Sequence, residues 1–308
     1  MEKTNMDKNL RPSIFKRLLA LIIDFVLLGI IGYISSLFLE DFYVSLGKYG
    51  TLIGSTITVT YFSILQSSVG KGQTIGKKII GAKVTDLKGE YLTIGKSFLR
   101  SSIVFFPIMN VEIFSGGNGM IVILMLVLLS IFASFYLILI NKSRRCLHDI
   151  LVHSVVTNED VQEFELSESN DRSTKKLIPI AVLAALMIGT GIYQIFTENK
   201  LSQLLAAKSK IEEQPGVITV NEVKSSTTTY SSPDESTRTY TSIKVTVRIN
   251  DKAEASNLNS KYFDDFYKIL KNEIPDSQTV DGVTISLYYG FNIGIASKTQ
   301  SVTKTIEN

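Results

Sequence analysis

Arg17 and Asp24 stand seven positions apart at the start of a long apolar run. On a helix that spacing is close to two turns, so both side chains share one face, about 10 Å apart. An aspartate well inside a bilayer costs roughly 2.5 to 3.5 kcal/mol on insertion scales, so it must face protein or water and find a partner. Three outcomes are open for Asp24. It locks helices together, it contacts an ion, proton or substrate, or it snorkels to the interface. A second charged set lies in Asn141 to Val156 (NKSRRCLHDILVHSVV), which begins basic and ends apolar. Arg145 precedes Asp149 by four positions, an order that opposes the helix dipole, so a local pair explains little. Asp149 is therefore expected to seek a base from elsewhere, Arg17 included. His148, with an unperturbed pKa of about 6.5, suits proton shuttling. Beside Arg145 and Asp149, however, the commoner role is a satisfied interfacial residue.

Other reactive patterns fail on their spacing. Gly70-Lys-Gly-Gln-Thr-Ile-Gly-Lys-Lys78 resembles a phosphate loop, but Lys71 stands where the first glycine is needed and Lys78 replaces the magnesium-binding hydroxyl. The same segment reads better as a short helix on the membrane surface, with Ile75, Ile79 and Ile80 on its apolar side and Lys77, Lys78 and Lys83 towards anionic headgroups. Val84 to Leu92 follows as a small hairpin turning at Lys88-Gly89. No Ser/His/Asp or Cys/His set is present, and Cys146 beside two arginines is a weak candidate for a reactive thiol. No enzyme activity is expected. One cysteine and two histidines leave no disulfide and argue against a metal centre, and no cofactor is implied. With 32 basic against 29 acidic residues, the charge is too balanced for a nucleic-acid partner.

These charges must be positioned by helices that cross a membrane. About 20 apolar residues span a hydrocarbon core of roughly 30 Å. Leu18 to Leu39 meets this, with Asp24 its one charge, and it is too long for a cleaved signal core. Tyr49 to Ser68 is weaker, rich in Ser and Thr. Phe98 to Phe114 is interrupted by Pro107 and Glu112, Met120 to Ile140 is uniformly apolar, and Leu177 to Phe196 is the last.

Short cytoplasmic loops collect Lys and Arg. The N-terminus to Arg17 holds five such residues, Lys71 to Arg100 holds seven including Arg100 itself, and Lys142 to Lys176 holds six. All three should lie on the cytoplasmic side. Met120 to Ile140 alone would put the last two on opposite sides, so Phe98 to Phe114 must also cross or dip in and return, turning at the uncharged Ser115-Gly-Gly-Asn-Gly119. The expected organisation is a cytoplasmic N-terminus (1–17), a membrane domain of four hydrophobic segments (18–158), a charged cytoplasmic linker (159–176), a fifth crossing (177–196) and an extracytoplasmic domain (197–308).

The outer part should fold on its own. Ile243 to Ile249 and Val283 to Ile295 alternate apolar and polar residues, which marks strands with one buried face. Leu258, Phe263, Phe266, Leu270 and Ile274 fall near helical spacing. Val217 to Ser231 is expected to pair with Thr237 to Ile249, and Glu198 to Ile211 to form a helix stopped at Pro215-Gly216. The fold class is mainly α: a polytopic helical membrane domain of about five transmembrane helices, with a small α+β domain of antiparallel sheet plus helix.

Three motifs in order resemble the RDD family of membrane proteins: Arg17-x-x-Ala20-x-x-Ile23-Asp24, then Thr74-Ile-Gly-Lys-Lys-Ile-Ile-Gly-Ala-Lys-Val84 followed by Gly89 and Arg100, then Arg145-x-Leu147-His148-Asp149 ending in Val155-Val156. The resemblance covers about residues 10 to 158. It implies that Arg17, Asp24 and Asp149 are the arginine and two aspartates for which the family is named. It also implies transport, since cation/proton antiport is attributed to some members. Such a protein would work in the cell membrane, as a homo-oligomer because so few helices make a slender pathway, on an ion or small solute. The fifth span and outer domain lie beyond the family core, which leaves room for an envelope partner there.

Overall fold

In a computed structural model of the chain, residues 11–114, 118–140, 144–161, 200–232, 235–274 and 280–307 are described. The expected fifth crossing, most of the charged linker and the first three residues of the Ser115 to Gly119 turn lie outside them.

Helix α1, Ile14–Ser45, opens on Ser13, whose hydroxyl accepts from the Lys16 backbone N–H at 3.2 Å, and bends at Leu39, where the backbone leaves helical values. Its buried residues recur every four positions: Ala20, Asp24, Leu28, Gly32 and Ser36. The rest of its surface is apolar and open, with Val26, Ile30, Ile34, Leu37 and Phe38 all at least half exposed. A core helix of a soluble protein buries its large apolar residues. This one buries a stripe dominated by small and polar residues and presents the large ones outward, which is how helices pack in lipid. Among the described residues α1 is the one helix long and apolar enough to cross a membrane.

Helix α2, Thr51–Leu65, buries Thr51, Gly54, Ser55, Thr58, Phe62 and Ser63. The Ser and Thr content that weakens it as a span by composition is its packing face. Helix α3 is the short Ile75–Ile79, and α4 is Ile94–Met109, capped by Thr93 and burying Ser97, Arg100, Ser101 and Phe105. At about 1.5 Å per residue, α2 and α4 are each shorter than a full hydrocarbon core. Helix α5, Asn118–Ile140, has no charged residue. Phe62 stacks on Phe105 at 4.5 Å between ring centres, with Phe25 edge-on, and these rings close the centre of the helix set.

Strand β1, Ala82–Asp86, does not fold back on its neighbours as a hairpin. It pairs antiparallel with β2, Ser154–Asn158, which follows the one-turn helix α6, Leu147–Leu151. The turn after β1 does form, with Asp86 accepting from the Lys88 N–H at 2.8 Å, but the longer-range pairing wins because it buries Ala82, Val84 and Val156 together. Both basic segments therefore share one end of the helix set, the end that holds Arg17.

The C-terminal domain contains α7, Lys200–Glu212, then β3, Val217–Ser232, β4, Glu235–Ile249, α8, Lys261–Glu273, β5, Gly282–Asn292, and β6, Ser297–Glu307. The sheet runs β3-β4-β5-β6, with β4 and β5 parallel. The expected purely antiparallel sheet is thus corrected: α8 intervenes between β4 and β5, and a helical crossover returns the chain in the same direction. Ile243, Val245, Val247, Ile285 and Leu287 meet Phe263, Phe266 and Leu270 of α8 in one core. The alternation over Val283 to Ile295 supplies β5 and then continues past it into the turn to β6. That turn, tied by the Ile293 N–H to the Ala296 carbonyl at 3.0 Å, lies against the C-terminal half of α1 and the start of α2. A Cβ on Gly54 would overlap the Ile293 carbonyl oxygen, so only glycine admits the turn there.

Candidate functional site

Asp149 is the first acidic residue of α6 and caps it, its Oδ2 accepting from the Cys146 N–H at 3.2 Å. Its Oδ1 accepts from Arg100 Nε at 2.9 Å and from the Ser154 hydroxyl at 3.0 Å. The Arg100–Asp149 pair is almost fully buried, with side-chain exposures of 8% and 1%. Gln66 Oε1 accepts from Arg100 as well, and His148 Nε2 lies 3.4 Å from the same guanidinium. A buried ion pair survives where its remaining donors and acceptors are satisfied. Gln66, Ser154 and the helix cap do that here.

The base that Asp149 pairs with does come from elsewhere in the chain, but it is Arg100 rather than Arg17. Arg17 instead grips backbone, donating to the carbonyls of Arg144 at 2.8 Å and Val156 at 3.1 Å, so α1 is fastened to the segments before α6 and inside β2. Arg145 bridges the Ser154 carbonyl at 2.9 Å and the Asp149 carbonyl at 3.1 Å, closing the loop between α6 and β2.

Asp24 is fully buried. Its carboxylate accepts from the Tyr61 hydroxyl at 2.7 Å, the Thr74 hydroxyl at 2.6 Å and the Gly76 N–H at 2.8 Å. Thus α1 and α2 hold the start of α3 between them. A Cβ at Gly76 would overlap the Ala20 carbonyl oxygen, which is why the close approach needs glycine.

The three surface lysines divide. Lys78 is exposed, as a headgroup contact requires. Lys77 turns inward with its ammonium 5.7 Å from the Phe62 ring centre. Lys83 is buried in β1 and donates to the Glu159 carbonyl at 3.1 Å, because strand pairing turns it from the surface.

Burial sets the protonation of this cluster. It lowers the Lys77 ammonium to about 7, aided by Arg100, and lowers His148 to about 4, so the imidazole is neutral near pH 7. It raises the Cys146 thiol to about 12, out of reach of a reactive thiolate. Burial alone would raise Asp149 too, yet Arg100, His148 and Arg17 hold it below the usual carboxylate range. The Cys146, His148 and Asp149 ligand atoms lie within 4.8 Å of one another. The protonated thiol and the Arg100-bound carboxylate make that trio a poor donor set for a metal ion.

Spacing and motif order marked Arg17, Asp24, Asp149 and the secondary residues Arg100, Arg145 and His148, and all but Asp24 gather at one cavity or in the loop that walls it. Gln66, Tyr61, Thr74 and Ser154 were not marked. Thr74 carries a readable signal, an N-cap residue before Ile75.

A helix with a small-residue stripe inward and large apolar residues outward, enclosing buried charges, defines an integral membrane protein. Residues 11–153 match the model of the RDD family, and this part of the chain belongs to that family. No curated protein and no solved structure matches the chain.

Proposed function

We propose that the RDD domain carries an ion or small solute across the membrane, with Arg17, Arg100 and Asp149 organising one mouth of its path. The observation behind this is a cavity of about 270 Å³ bordered by α1, α2, α4, α5 and α6, with the Arg100–Asp149 pair in its wall. Buried charges lining a cavity within a membrane domain are the usual mark of a substrate or ion path. Arg17, Lys77 and Arg100 face one carboxylate there, so an anion is favoured over the cation of a cation/proton exchanger. Asp24, with three donors already bound, acts in this reading as the fastener of α3.

The N-terminus and both basic segments are cytoplasmic in this proposal, five segments cross the cell membrane, and the C-terminal domain is extracytoplasmic. The β1–β2 pairing supports it by bringing the two basic segments to one end. The apolar outer faces of α1, α4 and α5 suit lipid and further copies of the chain.

A non-transporting reading has its own support. The sheet face away from α8 is polar, with Lys244, Arg248, Tyr288 and Thr303 around a shallow groove, and it suits an envelope component. Full-length protein in proteoliposomes separates the two. Dissipation of an anion or pH gradient, lost in Arg100→Gln, supports transport. No flux for any ion of a panel, with a phenotype confined to changes in the groove, removes it.

A further inference from the structure

The cavity at Arg17 joins a charged pole to an apolar one. Its volume is about 270 Å³. Charge is confined to one pole, where Arg17, Lys77 and Arg100 stand against Asp149. The opposite wall is Leu18, Leu21, Phe105 and Ile138. Such a wall offers a small hydrated ion nothing in return for the water it would lose.

Two observations at the charged pole point to a missing acceptor. Arg17 Nε is buried and meets no hydrogen-bond partner among the described residues, although its two terminal nitrogens are bound to carbonyls. Lys77 rests over a phenyl ring with no hydrogen-bond acceptor among those residues. At the apolar pole, Leu18 and Leu21 are 51% and 36% exposed, on the surface of α1 that carries its other large apolar residues. The apolar wall is thus continuous with the face turned to lipid.

We propose that this cavity binds an anionic membrane lipid, its phosphodiester at Arg17 and Lys77 and the upper part of one acyl chain along Leu18, Leu21, Phe105 and Ile138. The three cations face Asp149, and Asp24 also acts on Lys77, which leaves a surplus of one positive charge when Lys77 is protonated. A singly charged phosphodiester neutralises that surplus, whereas a zwitterionic lipid brings a further ammonium to a site already rich in cations. The cytoplasmic leaflet holds the anionic lipids, and the Arg17 end faces it. The proposal shares its cavity with the transport reading and rests on the domain standing in a membrane; it does not require flux.

Full-length protein released from nanodiscs of mixed phosphatidylglycerol and phosphatidylcholine, analysed by native mass spectrometry, tests it. Phosphatidylglycerol should be retained over phosphatidylcholine. Lys77→Gln should reduce that retention by roughly tenfold or more, the value of one charge-assisted hydrogen bond. Leu21→Trp, which fills the apolar pole, should reduce it as well, while Lys88→Gln in the exposed turn should not. Equal retention of both lipids, or no effect of Lys77→Gln, overturns the proposal. Glycerophosphate added in place of lipid distinguishes the source: thermal stabilisation equal to that by phosphatidylglycerol, undiminished in Leu21→Trp, means a free anion binds, which overturns the lipid assignment and leaves solute transport standing. Lipid retention without any ion flux means the reverse. Should Leu21→Trp fail to fold by circular dichroism, Lys77→Gln and the glycerophosphate comparison in wild type decide.

Discussion

Ile295, at the turn between β5 and β6, lies against Gly32 of α1 so closely that a Cβ added to the glycine would stand 2.9 Å from its γ1 carbon. The contact joins the last hairpin of the chain to its first helix. Around it, the Tyr289 hydroxyl donates to Asp41 at 3.1 Å, Lys298 reaches Glu40 at 2.6 Å, and Tyr43 packs on Phe291. The C-terminal domain is thereby seated on the membrane domain rather than tethered beside it.

Gly32→Leu should expel the turn. Overpacking of this kind costs about 1 to 3 kcal/mol, and the loss should appear as faster amide exchange at Ile293 to Ala296 while Val245 and Ile285 in the sheet core stay protected. Unchanged exchange at the turn would mean the two parts do not dock through it.

Arg100→Gln should destabilise the domain by about 3 to 5 kcal/mol, because it strands a buried carboxylate. Asp149→Asn in the same chain should restore part of the loss, since the uncompensated charge is then gone. Exchanging Arg17 and Asp149, by contrast, should rescue neither single variant, because Arg17 binds carbonyls that an aspartate cannot. Denaturant unfolding in detergent reads all of these, and rescue by the Arg17 exchange would contradict the observed pairing.

How far the sequence reaches can be judged at these same residues. Run length and the order of three motifs mark Arg17, Asp24 and Asp149, because a charge in an apolar run has few explanations. The partner of Asp149 is not legible, since Arg100 is brought to it by the antiparallel pairing of β1 with β2, a contact between segments whose local patterns show only two short strands. The C-terminal strands β4 and β5 are legible from alternation, β3 from its expected pairing with β4 across the turn at Pro233, and α8 from its spacing. Strand β6 is not, because Ser297 to Glu307 is rich in polar residues and has only Val302 and Ile306 as partly buried apolar contacts. The tip at Ile293 to Ala296 reads as the end of a strand, and its burial against Gly32 and Gly54 follows from tertiary packing alone.

Acid should weaken the domain below neutral pH. His148 has a folded-state pKa lowered to about 4 against about 6.5 unfolded. Between these values the unfolded chain binds the extra proton, so stability falls as pH drops from about 6.5 to 4. Lys77, lowered to about 7 from about 10.4, acts in the same direction between those higher values. Asp149, held below its usual range, contributes stability that is present above the unfolded value and lost only in stronger acid. The melting temperature of the full chain in detergent should therefore be lower at pH 5 than at pH 8, and His148→Gln should flatten the arm between pH 6.5 and 4. A melting temperature that rises on acidification would contradict the buried neutral imidazole.

Asp24→Asn distinguishes a fastener from a carrier of protons or ions. The carboxylate accepts three hydrogen bonds, from Tyr61, Thr74 and Gly76. An amide retains one acceptor oxygen, and its NH2 can be met by the Tyr61 or Thr74 hydroxyl only if that hydroxyl gives up donating to the side chain. Leaving buried donors unmet costs about 1 to 3 kcal/mol each, so Asp24→Asn should lower stability and free the start of α3. Thr74→Val and Tyr61→Phe should act in the same direction by smaller amounts, about 1 kcal/mol for one hydrogen bond. Release of α3 would also move Lys77 away from Phe62, so the anion affinity of the Arg17 cavity should fall in all three variants in proportion to the loss of stability. A residue that carries the transported ion behaves differently: its amide abolishes flux at unchanged stability, and Tyr61→Phe leaves flux alone. Thermal unfolding and flux measured on the same three proteins therefore decide which role Asp24 has.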